Sequence, residues 1–568
     1  MTEATAIDRK HWSRPEIAEK LEAFEQGYQC LPSQRQWAED LGIPRSTLQH
    51  WLQRRESIDA DPDLVAFFDS AVGVAFLHRL VLAAHLVMTL VGPCGIRLVC
   101  LFLELTGLDQ FVAASYGPQH QVATALEQAV VAFGQTERHR LADGMRPKEI
   151  TICEDETFHP ETCLVAIEPV SNFILVEKYA ESRTATEWTA TMQQATAGLA
   201  VKVIQSTSDE GRGIIKHVQD DLGAQHSPDL FHVQHELVRG PSVALAGQRR
   251  HAEQAVAEAA QKVTEYTEKA AQCPSVPGAD QAAREAWTGS IEQVHQKEAA
   301  ARQTLETLVT QQARVQQAIQ GLSADYHPYD LETGTPRSPE SMATALNAHF
   351  SNLEAVAAET HLSAQCLQKI AKAKRVVVTM VTTLAFFFLT IRAKVEALAL
   401  TPDLERAVYD QLIPAIYLDL VSEKVAEASQ RQALKNRSAE LLAPLHSAPS
   451  PWQSLAQEDL RLVEQVAQEC AELFQRSSSC VEGRNGQLAL RHHSLHRIRN
   501  QKLAALTTVH NYFVRRSDGT TAAERFFGTK PGNLFDWVLA RVDLPGWPAQ
   551  KRSKPKPKAY LFPAIAGA

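Results

Sequence analysis

None of the nine cysteines in this 568-residue chain is spaced CxxC, and their number is odd. Such scattered thiols argue against a disulfide framework and a structural zinc, and for a reducing cytosol. The N-terminus, MTEATAIDRKHW, lacks an apolar run, so no signal peptide is expected. A basic excess is missing too. With 57 Lys and Arg against 66 Asp and Glu, the net charge is −9, and the totals do not announce a nucleic-acid partner. Apolar runs of spanning length are also lacking. Residues 376–391 fall short of the roughly 20 needed and carry four threonines. Residues 64–105 are interrupted by Asp69, His78, Arg79, His85, Arg97 and Glu104. Both stretches are expected as buried helices, with no membrane partner. Charge is nevertheless uneven: residues 484–558 hold 15 Lys and Arg against 4 Asp and Glu, a local basic patch. The length allows several domains, each with its own core.

What is present changes character along the chain. Residues 1–56 are expected to form a helix-turn-helix unit. In SQRQWAEDLGIPRSTLQHWLQRR, Ser33 suits an N-cap, Gly42 the turn, and Pro44 the first position of the second helix. Leu48, Trp51 and Leu52 make that helix's inner face. Arg45, Ser46, Gln49, His50 and Gln53 point outward and resemble a recognition helix reading base edges, with Arg54 and Arg55 on phosphates. Residues 57–146 read as apolar helices broken at GPCG and SYGP. From Pro147, KEITICEDET, TCLVAIEPV and NFILVEKY predict an antiparallel meander. TATEWTATMQQATAGL then predicts a helix, VKVIQSTSD a strand, GRGIIKHVQDDLG a helix and SPDLFHV a fifth strand.

The fold class expected is therefore an α/β core with a mixed five-strand sheet over 147–235, in the ribonuclease H-like order βββ-α-β-α-β. A large all-α insertion follows over 236–476. Ala252, Val256, Ala259, Val263, Tyr266 and Ala270, then Trp287, Ile291, Val294, Leu305, Leu308, Val315 and Leu322, predict an antiparallel coiled-coil hairpin turning at CPSVPGAD. The core's last helices return over 477–530, and 531–568 read as a basic tail.

Glu482 opens a helix predicted over 477–503, and a run of Arg and His follows it. Alone, such a carboxylate is a favourable charge at a helix N-terminus. Asp155 ends the first strand, past Ile150 and Ile152, and Asp209 follows the fourth. In a ribonuclease H-like sheet those strand ends are adjacent. With Glu482 alongside, three carboxylates repel unless divalent cations join them. Two Mg²⁺ (or Mn²⁺) ions held there suit in-line phosphoryl displacement on DNA. Neighbouring acids have blander readings. Glu154 and Glu156 point to the strand's other face. Glu210, Asp220, Asp221 and Asp229 read as solvated positions, and Glu464, Glu469 and Glu472 as a wet helix face. His226, His232 and His235 surround the fifth strand. Without a fourth ligand or an HExxH spacing they are expected to be core or surface histidines.

The motifs CEDETF, STSDEG and VEGRNGQLALRHHSLHRI, with VHNYFVRRSDGTTAAERFFG downstream, make residues 147–530 resemble the DDE transposases of bacterial insertion sequences. Some branches of that family carry a helical insertion before the glutamate. The resemblance implies that Asp155, Asp209 and Glu482 are catalytic metal ligands and that Arg484, Asn485 and Arg491 meet DNA. His492, His493 and His496 are candidate phosphate contacts, and the PKPK run at 555–558 a nonspecific one. Also implied are binding of double-stranded element ends and target DNA, metal-dependent strand cleavage and transfer, and a homodimer or larger synaptic assembly. The expected place is the cytoplasm, at the nucleoid. The runner-up is a catalytically silent, transposase-derived DNA-binding regulator.

Overall fold

The computed structural model describes residues 12–27, 33–158, 161–272, 281–447, 450, 452, 455–495 and 497–549. They are mostly helical, with one five-strand sheet. They fall into two compact units. One is drawn from Met1–Met145, Glu177–Tyr179 and Asn485–Ala568, the other from Arg146–Val176 and Ala180–Arg484. The helical insertion thus shares a unit with the sheet, and the segment after residue 484 groups with the N-terminal helices.

The sheet runs β3-β2-β1-β4-β5, from β1 (Lys148–Phe158), β2 (Thr162–Glu168), β3 (Phe173–Tyr179), β4 (Val201–Ser208) and β5 (Gln225–Pro228). β2 is antiparallel to β1, with Asp155 opposite Val165. β4 runs parallel to β1 and β5 parallel to β4. Parallel neighbours need crossovers. Helices Ala185–Thr196 and Arg212–Lys216, the latter continued by a π turn over His217–Asp221, lie within them. Alternation sorts the residues of β1. Glu154 and Glu156 face these helices: His217 Nε2 lies 3.5 Å from Glu154 Oε1, and Trp188 Nε1 donates to Glu156 at 3.1 Å. Cys153 and Asp155 take the opposite face. Asp155 lies inside the strand, three residues before its end, and not at the tip.

The fifth strand is earlier and shorter than the sequence suggests. Asp229 accepts from Phe231 N–H at 2.8 Å and caps a helix, Leu230–Leu237, so the LFHV run is helical. A short apolar run carries no period of its own, and here the cap decides. From this helix onward Phe350, Leu384, Phe387 and Leu418 join one continuous core. Helices Val243–Gln272 and Gln281–Asp325 pair antiparallel. The Tyr266 and Trp287 rings meet at 6.0 Å, while Arg249 donates to Gln312 at 3.1 Å. The CPSVPGAD turn lies outside the described residues.

In the other unit, Ile17, Leu21, Phe24, Trp37, Leu48 and Trp51 form the core of helices Arg14–Gly27, Gln34–Asp40 and Arg45–Glu56. Ser33 accepts from Gln36 N–H as its N-cap, and Gly42 takes φ +65° in the turn. Pro44 is the N-cap of the next helix, one place earlier than expected. SYGP begins helix Tyr116–Ala142 instead of breaking one. The helix predicted over 477–503 is two, Ser479–Leu495 and Asn500–Tyr512. The latter approaches Tyr116–Ala142 so closely that a Cβ on Gly134 would lie 2.7 Å from Thr508 Oγ1. Of the segment expected as a basic tail, the described residues 531–549 are folded. Asn533 caps helix Leu534–Leu539, and Gly546 O accepts from Ala113 N–H at 2.8 Å. The PKPK run lies outside the described residues.

Two helical stretches, Ala71–Val91 and Ala364–Glu396, are long and apolar enough to cross a membrane by length and composition. Each packs one face into a core, through Leu77, Val81 and Leu82 in the first and Met380, Leu384 and Phe387 in the second.

Candidate metal centre and nucleic-acid interface

Asp155, His232 and Glu482 each present a ligand atom, and these atoms lie within 4.8 Å of one another. They come from β1, from the helix Leu230–Leu237 and from the first turn of Ser479–Leu495. Asp229 holds both helix starts in place. Its N–H donates to Ser208 O, at the end of β4, at 2.9 Å. One carboxylate oxygen caps its own helix, and the other accepts from Ser478 Oγ. Asp229 was expected in solvent. It is 2% exposed and sets where His232 and Glu482 begin.

Burial pushes the Asp155 carboxyl up to about 7, with repulsion from Glu482 and Asp209 added. The Glu156 N–H, 2.8 Å from Asp155 Oδ1, and His232 act the other way. His232 Nε2 stands 3.7 Å from both Asp229 Oδ2 and Glu482 Oε1. This nitrogen is buried and makes no hydrogen bond. An unsatisfied buried donor or acceptor is costly, and a divalent cation between the ring and the carboxylates removes that cost. The residues therefore fit a metal. Imidazole beside carboxylates suits Mn²⁺ and its transition-metal neighbours better than Mg²⁺, which favours oxygen shells. His232, expected as a core or surface histidine, is half-buried and stands in this group. Its only sequence signal is the Asp229-x-x-His232 spacing, which has meaning once LFHV is helical.

Asp209 is not in this group of three. Its Oδ1 accepts from Gly211 N–H at 2.9 Å, yet it is near enough to raise Asp155. It lines a cavity of about 370 Å³ with Glu210, His232, Glu236 and Lys372. Burial raises the Glu210 carboxyl and the Lys372 ammonium opposes this. Lys372 belongs to Ala364–Glu396, so the helical insertion supplies a cation to the acidic cavity. Nothing in the sequence marks it.

The expected DNA contacts divide. On Arg45–Glu56, residues Arg45, Ser46, His50 and Gln53 are exposed and Gln49 is half-buried. Arg54 and Arg55, expected on phosphates, are both engaged inside the unit. Arg54 donates to Pro548 O and lies over the Trp547 ring, while Arg55 pairs with Glu25 and, at 3.3 Å, with Asp69. Arg491, expected on DNA, is engaged in the same way. Its buried guanidinium donates to the carbonyls of Thr89, Leu90, Val91 and Gly92 at 2.7–3.3 Å. It satisfies the end of the π turn Leu86–Val91, where carbonyls lack helical partners. Arg484 is buried and Asn485 half-buried. His492 Nε2 lies 3.2 Å from Tyr179 OH, His493 is exposed, and His496 lies outside the described residues.

No curated protein matches the chain. Residues 408–554, which include Glu482 but neither Asp155 nor His232, match DUF6399, a family of unknown function.

Proposed function

We propose that the chain is a DDE-type DNA transposase that binds the ends of its element and cuts and joins DNA strands with a divalent metal. The observation that carries this reading is the meeting of Asp155 and Glu482, far apart in sequence, with an unbonded imidazole between them. The sheet order, with β2 antiparallel and β4 and β5 parallel to β1, supports a ribonuclease H-like core. Asp155, His232 and Glu482 would hold one ion, and Asp209 would contribute to a second beside it. Such ions polarise a phosphodiester and activate a water or 3′-hydroxyl for in-line attack. The chain's own groups do the rest. Asp229 orients the ligands, Lys372 offers its ammonium to a phosphate in the cavity, and Arg45, Ser46, Gln49, His50 and Gln53 present a polar face to the major groove.

The test is cleavage of a duplex bearing the element's own end by the full chain in Mn²⁺ or Mg²⁺. Nicking at the end and transfer of the 3′-hydroxyl are expected, with Asp155→Asn and Glu482→Gln binding DNA but not cutting it. If those variants cleave as the wild type does, the site is misassigned. Asp209 standing outside the group of three favours the second reading, a silent regulator. Tight end binding without cleavage in either metal would select it.

A further inference from the structure

Helix Ile96–Leu105 buries Val99, Cys100 and Leu103 within the unit of the N-terminal helices and leaves an apolar stripe facing out. The stripe is Leu98, Leu101 and Leu105, at the 3-4 spacing that puts side chains on one helix face. They are 47%, 44% and 79% exposed, and Leu105 is the most exposed large apolar side chain among the described residues. Arg97 and Glu104 flank the stripe and are exposed as well. Arg97 lies over the Tyr116 ring, and neither charge has an ion-pair partner among the described residues. Phe67, Val72, Phe76, Val87 and Val91, on the helices and π turn before it, are also open. These eight apolar side chains leave on the order of 700 Å² open, close to the roughly 800 Å² that each partner gives a stable interface.

Turned about a two-fold axis, the face is complementary to itself. In two copies of the helix packed antiparallel about an axis at Leu101, each Leu101 meets the other. Leu98 of one copy meets Leu105 of the second, and Arg97 meets Glu104. One contact thus covers the stripe and pairs both charges, with the reciprocal matching that marks an isologous interface. We propose that this face binds a second copy of the chain, through an antiparallel pairing of the two Ile96–Leu105 helices centred on Leu101. A lipid surface fits less well. Helices that lie on membranes set Lys and Arg beside anionic headgroups, whereas here one glutamate balances one arginine. The contact uses neither DNA nor metal, so it does not depend on the DNA reading.

The experiment measures the mass of the full chain, without DNA, by sedimentation equilibrium over a range of concentrations. A reversible dimer is expected. Leu101→Asp sets two carboxylates face to face on the axis and is expected to weaken the dimer about a hundredfold. Arg97→Glu and Glu104→Arg each turn two attractive pairs into repulsive ones, and each is expected to weaken it about tenfold. The double variant, with both charges exchanged, restores it. Every altered side chain is exposed, and melting curves check each fold. A monomeric wild type overturns the proposal, most plainly if it binds phosphatidylserine vesicles and Leu101→Asp does not. So does a dimer unmoved by Leu101→Asp, or a double variant no better than either single one.

Discussion

A carboxylate that caps one helix and accepts a hydroxyl from the start of another, as Asp229 does, sets the separation of the residues those helices carry. Asp229→Ala removes both bonds. The lost cap is expected to cost about 1 kcal/mol, and the displaced ligands to weaken Mn²⁺ binding about 10–100-fold, as for other groups that orient metal ligands. Asp229→Asn keeps an oxygen for Phe231 N–H and offers its amide to Ser478, so it is expected to recover most of both. Thermal melting and a Mn²⁺ titration check the pair of variants. The helix Arg45–Glu56 divides at the same scale. On the proposed DNA reading exposed Arg45 reaches a base edge, and Arg45→Ala is expected to cost about 1–3 kcal/mol of discrimination for the element's end. Arg54, held by Pro548 O and Trp547, is expected on substitution to lower the melting temperature and leave that discrimination alone.

Helix ends, more than helix faces, separate what the sequence discloses from what it hides. The alternation in KEITICEDET is legible because a strand buried on both faces still sorts Glu154 from Asp155, and the structure gives those two side chains opposite neighbours. LFHV is not legible as a helix, because the deciding group is the Asp229 cap, which looks like any solvated acid in a string of letters. The break between Leu495 and Asn500 is hidden for a related reason: Ile498 and Leu503 continue a helical spacing across two separate helices. Arg491 shows the cost of reading a charge without its geometry. Its fork ends the π turn Leu86–Val91, and a buried bond to a charged group contributes more than a neutral one. Arg491→Met is expected to cost about 2 kcal/mol or more in chemical denaturation, with DNA affinity unchanged in the folded fraction. Lys372 carries no sequence signal, since only the folding of the insertion onto the sheet places it in the cavity.

Each compact unit of the whole molecule holds a buried neutral imidazole. His85 Nε2 lies 2.7 Å from Gln119 Oε1 in one, and His327 Nδ1 lies 2.7 Å from Tyr417 OH in the other. Burial holds both below the ordinary 6.5. The unfolded chain therefore takes up protons below that pH which the folded chain does not, and their contribution to stability is lost as pH drops through about 6.5. Asp155, pushed up to about 7, works the other way as pH falls through that value, so the downward shift of the melting curve is expected in Asp155→Asn, scanned from pH 8 to pH 5. Trp188, wholly buried under the sheet beside Glu156, gives a second whole-molecule expectation: Trp188→Ala costs about 3–5 kcal/mol. The central claim is that residues from three distant parts of the chain form one metal site. Its most direct test is a Mn²⁺ titration of the wild type against Asp155→Asn, His232→Gln and Glu482→Gln, each shown folded by its melting curve. Saturable binding by the wild type, weakened at least tenfold in all three variants, is the expected result. A wild type that binds no Mn²⁺, or one matched by its variants, would contradict it.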